Sequence, residues 1–141
     1  AAADRPAAGA TTARTVLLAE DSAFFRGQVK RFLAEGGFSV LEAEDGEVAW
    51  ELLVRNASAV SAVVTDIEMP RLDGLGLTRR IRADERFRSL PVIGLTSLAG
   101  EEDAQRGKAA GIDDYQVKLD RDRLVQTLTD RTGAAERRPA G

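Results

Sequence analysis

The chain has 141 residues, a net charge of −3 and a pI near 5.1, with 43% hydrophobic and 30% charged residues. This is one ordinary domain's worth of sequence, with enough apolar content for a core. It holds neither Cys nor His, which excludes disulfides, thiolate chemistry, Cys-built zinc sites and imidazole as a base or metal ligand. The acidic balance gives no electrostatic case for nucleic acid or an anionic membrane, no apolar run approaches a membrane span, and no signal-peptide pattern opens the chain. Chemistry here must run on carboxylates, hydroxyls, lysines and backbone, and a cytoplasmic setting is the default expectation.

Residues 1–13 are Ala/Gly/Thr-rich with one Pro and no apolar periodicity, and read as a flexible linker. Residues 133–141 read as a similar flexible tail, leaving residues 14–132 as the folded domain. Such ends suit either a domain of a longer polypeptide or frayed natural termini.

Thr15-Val16-Leu17-Leu18-Ala19 is a short continuous apolar run, the pattern of a strand covered on both faces, and it ends at Glu20-Asp21-Ser22. A helix follows with Phe25, Val29, Phe32 and Leu33 on one face, stopped by Gly36-Gly37. Residues 38–43 read as a second strand. Asp45 can cap a helix that carries Val48, Ala49, Leu52 and Leu53 inward. Residues 62–65 form a third strand candidate ending at Asp66. After Pro70 and Gly74 comes a helix with Leu77 and Ile81 inward, then a fourth strand from Pro91 to Leu95 ending at Thr96-Ser97. A small-residue helix spans residues 104–110 and closes at Gly111. A short fifth strand, residues 115–117, ends at Lys118, and Asp120 can cap a last helix with Leu124, Val125 and Leu128 inward. The alternation predicts an α/β fold, a parallel sheet with helices on both faces and right-handed crossovers.

In open sheets of this kind the ligand site lies outside the carboxyl ends of the strands. There the sequence places Glu20 and Asp21, Asp66, Thr96 and Ser97, and Lys118. Clustered carboxylates without His or Cys suit a hard divalent cation, with Mg2+ the natural choice. A carboxylate beside such a cation can attack phosphorus to give an acyl phosphate. The cation, the Lys118 ammonium and the Thr96 hydroxyl could then each take one phosphoryl oxygen. No general base is needed, because the carboxylate nucleophile is already ionised. Taken singly, each residue has a plainer reading: Glu20 and Asp21 favour a helix N-terminus, Thr96-Ser97 is a cap, Asp66 a turn residue and Lys118 a surface charge. Only the site reading accounts for an amine joining the carboxylates.

The segments carrying this set are residues 16–22, 64–74 (Val-Thr-Asp-Ile-Glu-Met-Pro-Arg-Leu-Asp-Gly), 91–97 and 115–118. In this order they resemble the receiver domains of two-component response regulators, the chemotaxis (CheY-like) type in particular. The resemblance implies a doubly wound, flavodoxin-like sheet of five strands in the order 2-1-3-4-5, with five helices. It implies that Asp66 is the phosphoacceptor, that Asp21 ligates Mg2+ directly and Glu20 through water, and that the Glu68 backbone carbonyl is a third protein ligand. It also implies that Thr96 is the switch hydroxyl, Tyr115 the aromatic that turns inward with it, and Lys118 the phosphate-pairing lysine. Output in similar proteins leaves through the face of the fourth helix, fifth strand and fifth helix. The expected partners are a histidine kinase or phosphotransfer domain, in cis or trans, and chemotaxis signalling proteins.

One position departs from the family pattern: Leu119 follows Lys118 where Pro is usual. A cis bond before Leu would cost about 2.5–4 kcal/mol, so a trans peptide and an altered loop are expected. The runs 20–26 and 118–121 look like receivers attached to chemotaxis histidine kinases or adaptors, and so suggest the terminal receiver of a hybrid kinase. Leu98 offers no polar group to orient water, which predicts slow loss of the phosphoryl group.

Two other readings compete. An aspartyl-phosphate phosphatase typically carries Asp two positions beyond its nucleophile, where this chain has Glu68, and a cap insertion for which there is no room. A receiver acting only as a binding module would have lost site residues, whereas Asp21, Asp66, Thr96 and Lys118 are all present. Gly74-Leu75-Gly76-Leu77 lacks the spacing and the Lys-Ser/Thr of a phosphate-binding loop. On this reading the chain is not an enzyme beyond its own Mg2+-dependent phosphorylation.

Overall fold

The computed structural model describes residues 14–96 and 101–133, the side chains of residues 101–103 excepted. Strands β1 (Thr15–Ala19), β2 (Ser39–Ala43), β3 (Val60–Asp66), β4 (Val92–Thr96) and β5 (Asp114–Val117) alternate with helices α1 (Ala23–Glu35), α2 (Gly46–Arg55), α3 (Gly74–Ala83), α4 (Glu101–Ala110) and α5 (Arg121–Thr132). All pairings are parallel, and the sheet order is β2-β1-β3-β4-β5. The central three strands are the apolar runs, and the polar-patterned Ser39–Ala43 takes an edge.

The sheet divides the core in two. Leu17, Ala19 and Val63 point to one face, under Ala49 and Leu53 of α2 and Leu77 and Ile81 of α3. Val16, Leu18, Ala62 and Val64 point to the other, under Val29 and Leu33 of α1 and Leu124 and Leu128 of α5. Both faces of β1 and β3 are thus covered, which is why their sequences are continuous apolar runs instead of alternating ones.

The helix starts follow local chemistry. Ser22, Asp45, Asp73 and Asp120 each accept a backbone N–H of the first turn. Gly133 ends α5 in the left-handed region, at φ 75°.

Several boundaries differ from the sequence reading. Phe38 lies just outside β2, though buried; β3 begins at Val60; α4 begins at Glu101; and β5 includes Asp114. A one-turn helix at Glu85–Phe87, capped by Asp84, was not anticipated, because three residues carry no periodicity. Only Val29 and Leu33 of the expected α1 face are fully buried. Phe25 and Phe32 are half-buried at its edge. Residues 1–13, most of the tail, Ser97 and Leu98 lie outside the described residues.

Candidate phosphoacceptor site

Four strand ends and one loop build the site. β3 delivers Asp66 at the carboxyl edge of the sheet, paired in register with Leu95 of β4. β1 delivers Glu20 and Asp21 immediately after Ala19, whose register partner on β3 is Thr65. Carboxylate oxygens of Glu20, Asp21 and Asp66 lie within 4.8 Å of one another, and they are the chain's one such acidic cluster among the described residues. Asp21 is exposed, while Glu20 and Asp66 are buried.

Glu20 is held firmly. Its Oε2 accepts the Ser22 N–H at 3.0 Å, its backbone N–H donates to Ala43, and its carbonyl accepts Arg26 Nη1 at 2.9 Å. Lys118 reaches in from the end of β5, with Nζ 2.9 Å from Glu20 Oε1 and 3.4 Å from Asp66 Oδ1. Asp66 Oδ1 also accepts the Ile67 N–H at 2.9 Å. The Lys118 ammonium lies 4.5 Å from the centre of the Phe25 ring.

The electrostatics follow from this packing. Burial, then repulsion from Glu20, pushes the Asp66 carboxyl up to about 6, against the opposing pull of Lys118. For Lys118, burial works against the charge, but contact with Glu20 and the field of Asp66 outweigh it and hold the ammonium above its ordinary value. Two buried carboxylates facing one ammonium leave an excess of negative charge. The donor set is all oxygen, which fits a hard divalent cation that prefers carboxylate and water ligands.

Thr96 ends β4, and its carbonyl accepts the Lys118 N–H at 2.7 Å, which ties the two strand ends together. Tyr115 stands opposite Gly94 in the β4–β5 register and is half-buried, packed on the α2/α3 side of the sheet. An added Cβ at Gly94 would come 2.9 Å from Tyr115 Cδ1, and one at Gly107 of α4 would come 3.4 Å from it. Two glycines therefore form the seat of the ring. Glu68 lies exposed in the β3–α3 loop, two residues past Asp66.

At the Lys118–Leu119 step, no described peptide bond is cis, and Leu119 instead takes φ 67° with its side chain exposed. A left-handed Leu turns the chain into α5.

Sequence reasoning missed three parts of the neighbourhood: the Phe25 ring against Lys118, the glycine seat of Tyr115, and an ion pair between Asp45 and Arg71. Phe25 was assigned to the core by its helical spacing. Nothing in spacing marks a pair 26 residues apart.

Residues 16–129 match the response regulator receiver domain family. The chain is 38% identical over 104 residues to the chemotaxis protein CheY1 of Helicobacter pylori, covering 73% of this chain and 83% of that protein. It is 33% identical over 103 residues to the sensor histidine kinase CheAY of the same species, covering 73% of this chain but only 13% of the kinase. Among solved structures, the receiver domain of the sensor histidine kinase PA1611 from Pseudomonas aeruginosa, with a magnesium ion coordinated in its active-site cleft, superposes with a TM-score of 0.73 at 32% identity, covering 86% of this chain and 98% of that one. The fold, the carboxylate cluster beside a lysine and these matches agree: the chain belongs to the response regulator receiver domain family and is CheY-like.

Proposed function

We propose that this chain accepts a phosphoryl group on Asp66 from a phosphohistidine and passes the signal on through Thr96 and Tyr115. The observation that carries the reading is the placement of Asp66, at the end of the middle strand, facing Lys118 and clustered with Glu20 and Asp21. An Asp66 carboxylate oxygen attacks phosphorus, the P–N bond breaks, and the imidazole, protonated on its other nitrogen, departs as a neutral ring with that electron pair. Asp21 and Asp66, with the Glu68 carbonyl and Glu20 beside them, would hold Mg2+, which would supply charge neutralisation at the phosphoryl oxygens. Lys118 offers its ammonium to one phosphoryl oxygen and Thr96 its hydroxyl to another. The chain has no His, so the donor is a separate histidine kinase or phosphotransfer domain, in cis or in trans.

The switch is a population shift. The dianionic phosphoryl group draws Thr96 inward, and Tyr115 fills the space behind it. A chemotaxis role is supported by the named relatives. In that setting the domain regulates a kinase or a signalling partner, or drains phosphoryl groups from one, in the cytoplasm. Its attachment to a hybrid kinase, with residues 1–13 as a linker and residues 133–141 as a tail around a receiver domain at residues 14–132, fits the match to a segment of CheAY.

Intact mass after incubation with acetyl phosphate and Mg2+ tests the proposal. One phosphoryl adduct that requires Mg2+ and vanishes in Asp66→Asn is expected. A folded native chain with no adduct would make this a binding module only.

A further inference from the structure

The loop between β3 and α3 carries a backbone conformation that an Arg adopts reluctantly. Arg71 has φ 68°, and the Leu72 N–H donates to the Pro70 carbonyl at 2.8 Å across it. A bond from residue i+2 to residue i across a positive φ defines the rare, strained form of γ-turn. Strain of this kind persists only where the surroundings over-determine it, and it gathers at functional sites.

The surroundings here are specific. The Arg71 guanidinium pairs with the carboxylate of Asp45. Asp45 is buried, and its other oxygen, Oδ1, caps α2 through the Val48 N–H at 2.9 Å. Burial disfavours its charge, but the Val48 N–H and the Arg71 guanidinium hold its carboxyl below the usual value. Next to it, Gly46 lets the start of α2 press on the loop, since a Cβ there would sit 2.0 Å from the Leu72 carbonyl oxygen. At the far end the Gly74 N–H donates to the Ile67 carbonyl at 2.8 Å, and a Cβ on Gly74 would lie 2.2 Å from the Asp66 carbonyl oxygen. The loop is thus fastened at both ends, and Glu68 lies between the fastenings. An open depression of about 410 Å3 lined by Asp21, Glu44, Asp45, Pro70 and Arg71 sets this latch beside Asp21 of the carboxylate cluster.

We infer that Asp45 and Arg71 are positioning residues: their ion pair holds the strained turn and with it the loop that carries Glu68, whose carbonyl would be a ligand of a bound cation. The inference rests on the reading of Asp66, Asp21 and the Glu68 carbonyl as the Mg2+ site. It makes a prediction of opposite sign to simple electrostatics. Removing the Arg71 charge makes the neighbourhood more negative, which by itself tightens Mg2+ binding. Loosening the latch weakens it.

Isothermal titration of the full chain with Mg2+ alone decides between them. Arg71→Gln and Asp45→Asn should each weaken binding by a few-fold up to about tenfold, the lower end for groups bonded directly to a metal ligand, since this pair acts one step further out. The double variant should be no weaker than the worse single one, because both break the same contact. Asn still caps a helix, so Asp45→Asn spares the helix start, but losing its negative charge also weakens Mg2+ binding by itself, and Arg71→Gln is the variant that separates the latch from electrostatics. Should that buried change disturb folding, Arg71→Gln carries the test, because the Arg71 side chain is exposed. Arg71→Lys should recover part of the loss. Binding by Arg71→Gln as tight as, or tighter than, the native chain would overturn the inference. Native Mg2+ binding that is absent, or unchanged in Asp66→Asn, would instead overturn the site reading beneath it.

Discussion

The Lys118 ammonium lies over the ring of Phe25, 4.5 Å from its centre, while its charge is directed at Glu20 and Asp66. The aromatic face gives the lysine a third anchor beside the two carboxylates. A cation over a ring contributes about 0.5–2 kcal/mol depending on desolvation. Phe25→Leu keeps apolar bulk but removes the quadrupole, and should slow phosphorylation of Asp66 by acetyl phosphate about two- to tenfold. Phe25→Tyr should restore most of the rate. Equal rates for Leu and Phe would reduce Phe25 to packing.

Asp66 should make stability pH-dependent in the absence of metal. Its folded pKa of about 6 lies above the ordinary value of 3.8, so the folded state binds more protons than the unfolded one between those values. Stability contributed at this residue is therefore present at low pH and declines as pH rises from about 4 through 6. In EDTA-containing buffer at pH 7, Asp66→Asn should exceed the native chain by about 1–2 kcal/mol, a full two-unit shift discounted for solvent screening. The gap should close towards pH 4, and urea melts at several pH values read it directly. A constant gap across that range would place its origin elsewhere.

Arg82 ties down the amino edge of the sheet, opposite the site. Its Nε donates to the Gly111 carbonyl, its Nη1 reaches the carbonyls of Phe87, Arg88 and Leu90, and its Nη2 pairs with Asp113 at 2.8 Å. The Asp113 carboxylate in turn accepts the Val92 N–H. Hydrogen bonds to a charged group contribute about 1.5–3 kcal/mol each, but bonds that share one side chain do not add. Arg82→Ala should lower stability by about 2–4 kcal/mol in urea melts, with Mg2+ affinity unchanged. A loss under about 0.5 kcal/mol, the range of ordinary surface changes, would contradict this.

The glycine seat of Tyr115 gives a handle on the switch. Gly94→Ala would drive a methyl group to 2.9 Å from Tyr115 Cδ1, 3.0 Å from Ile112 Cδ1 and 3.1 Å from Ile67 Cδ1. Overpacking of this kind costs about 1–3 kcal/mol, and the ring is the group with somewhere to go. Tyr115 is the chain's single tyrosine, so its ring resonances are unambiguous. In Gly94→Ala they should shift towards solvent-exposed values and respond less to beryllofluoride with Mg2+ than in the native chain. An unchanged response would detach Tyr115 from the switch.

The strands and helices were legible in the sequence because the buried runs and the aspartate and serine caps are local signals. The convergence of Glu20, Asp66 and Lys118 was legible as well, since parallel topology brings strand ends together whatever lies between them. What escaped was contact between helix surfaces and loops. Phe25 and Arg71 act through partners far along the chain, and their own neighbours in sequence say nothing of it. Leu119 was readable only as a departure from the family. Its left-handed backbone follows from the need to turn into α5 with a trans peptide.

The sheet acts as a partition. Tyr115 packs in the compartment of α2 and α3, whereas Val29, Leu33, Leu124 and Leu128 fill the one behind it. On the switch proposed above, a rearrangement that begins at Thr96 and moves Tyr115 would start in the compartment of α2 and α3. The core on the other side, under α1 and α5, would feel such a change only across the sheet.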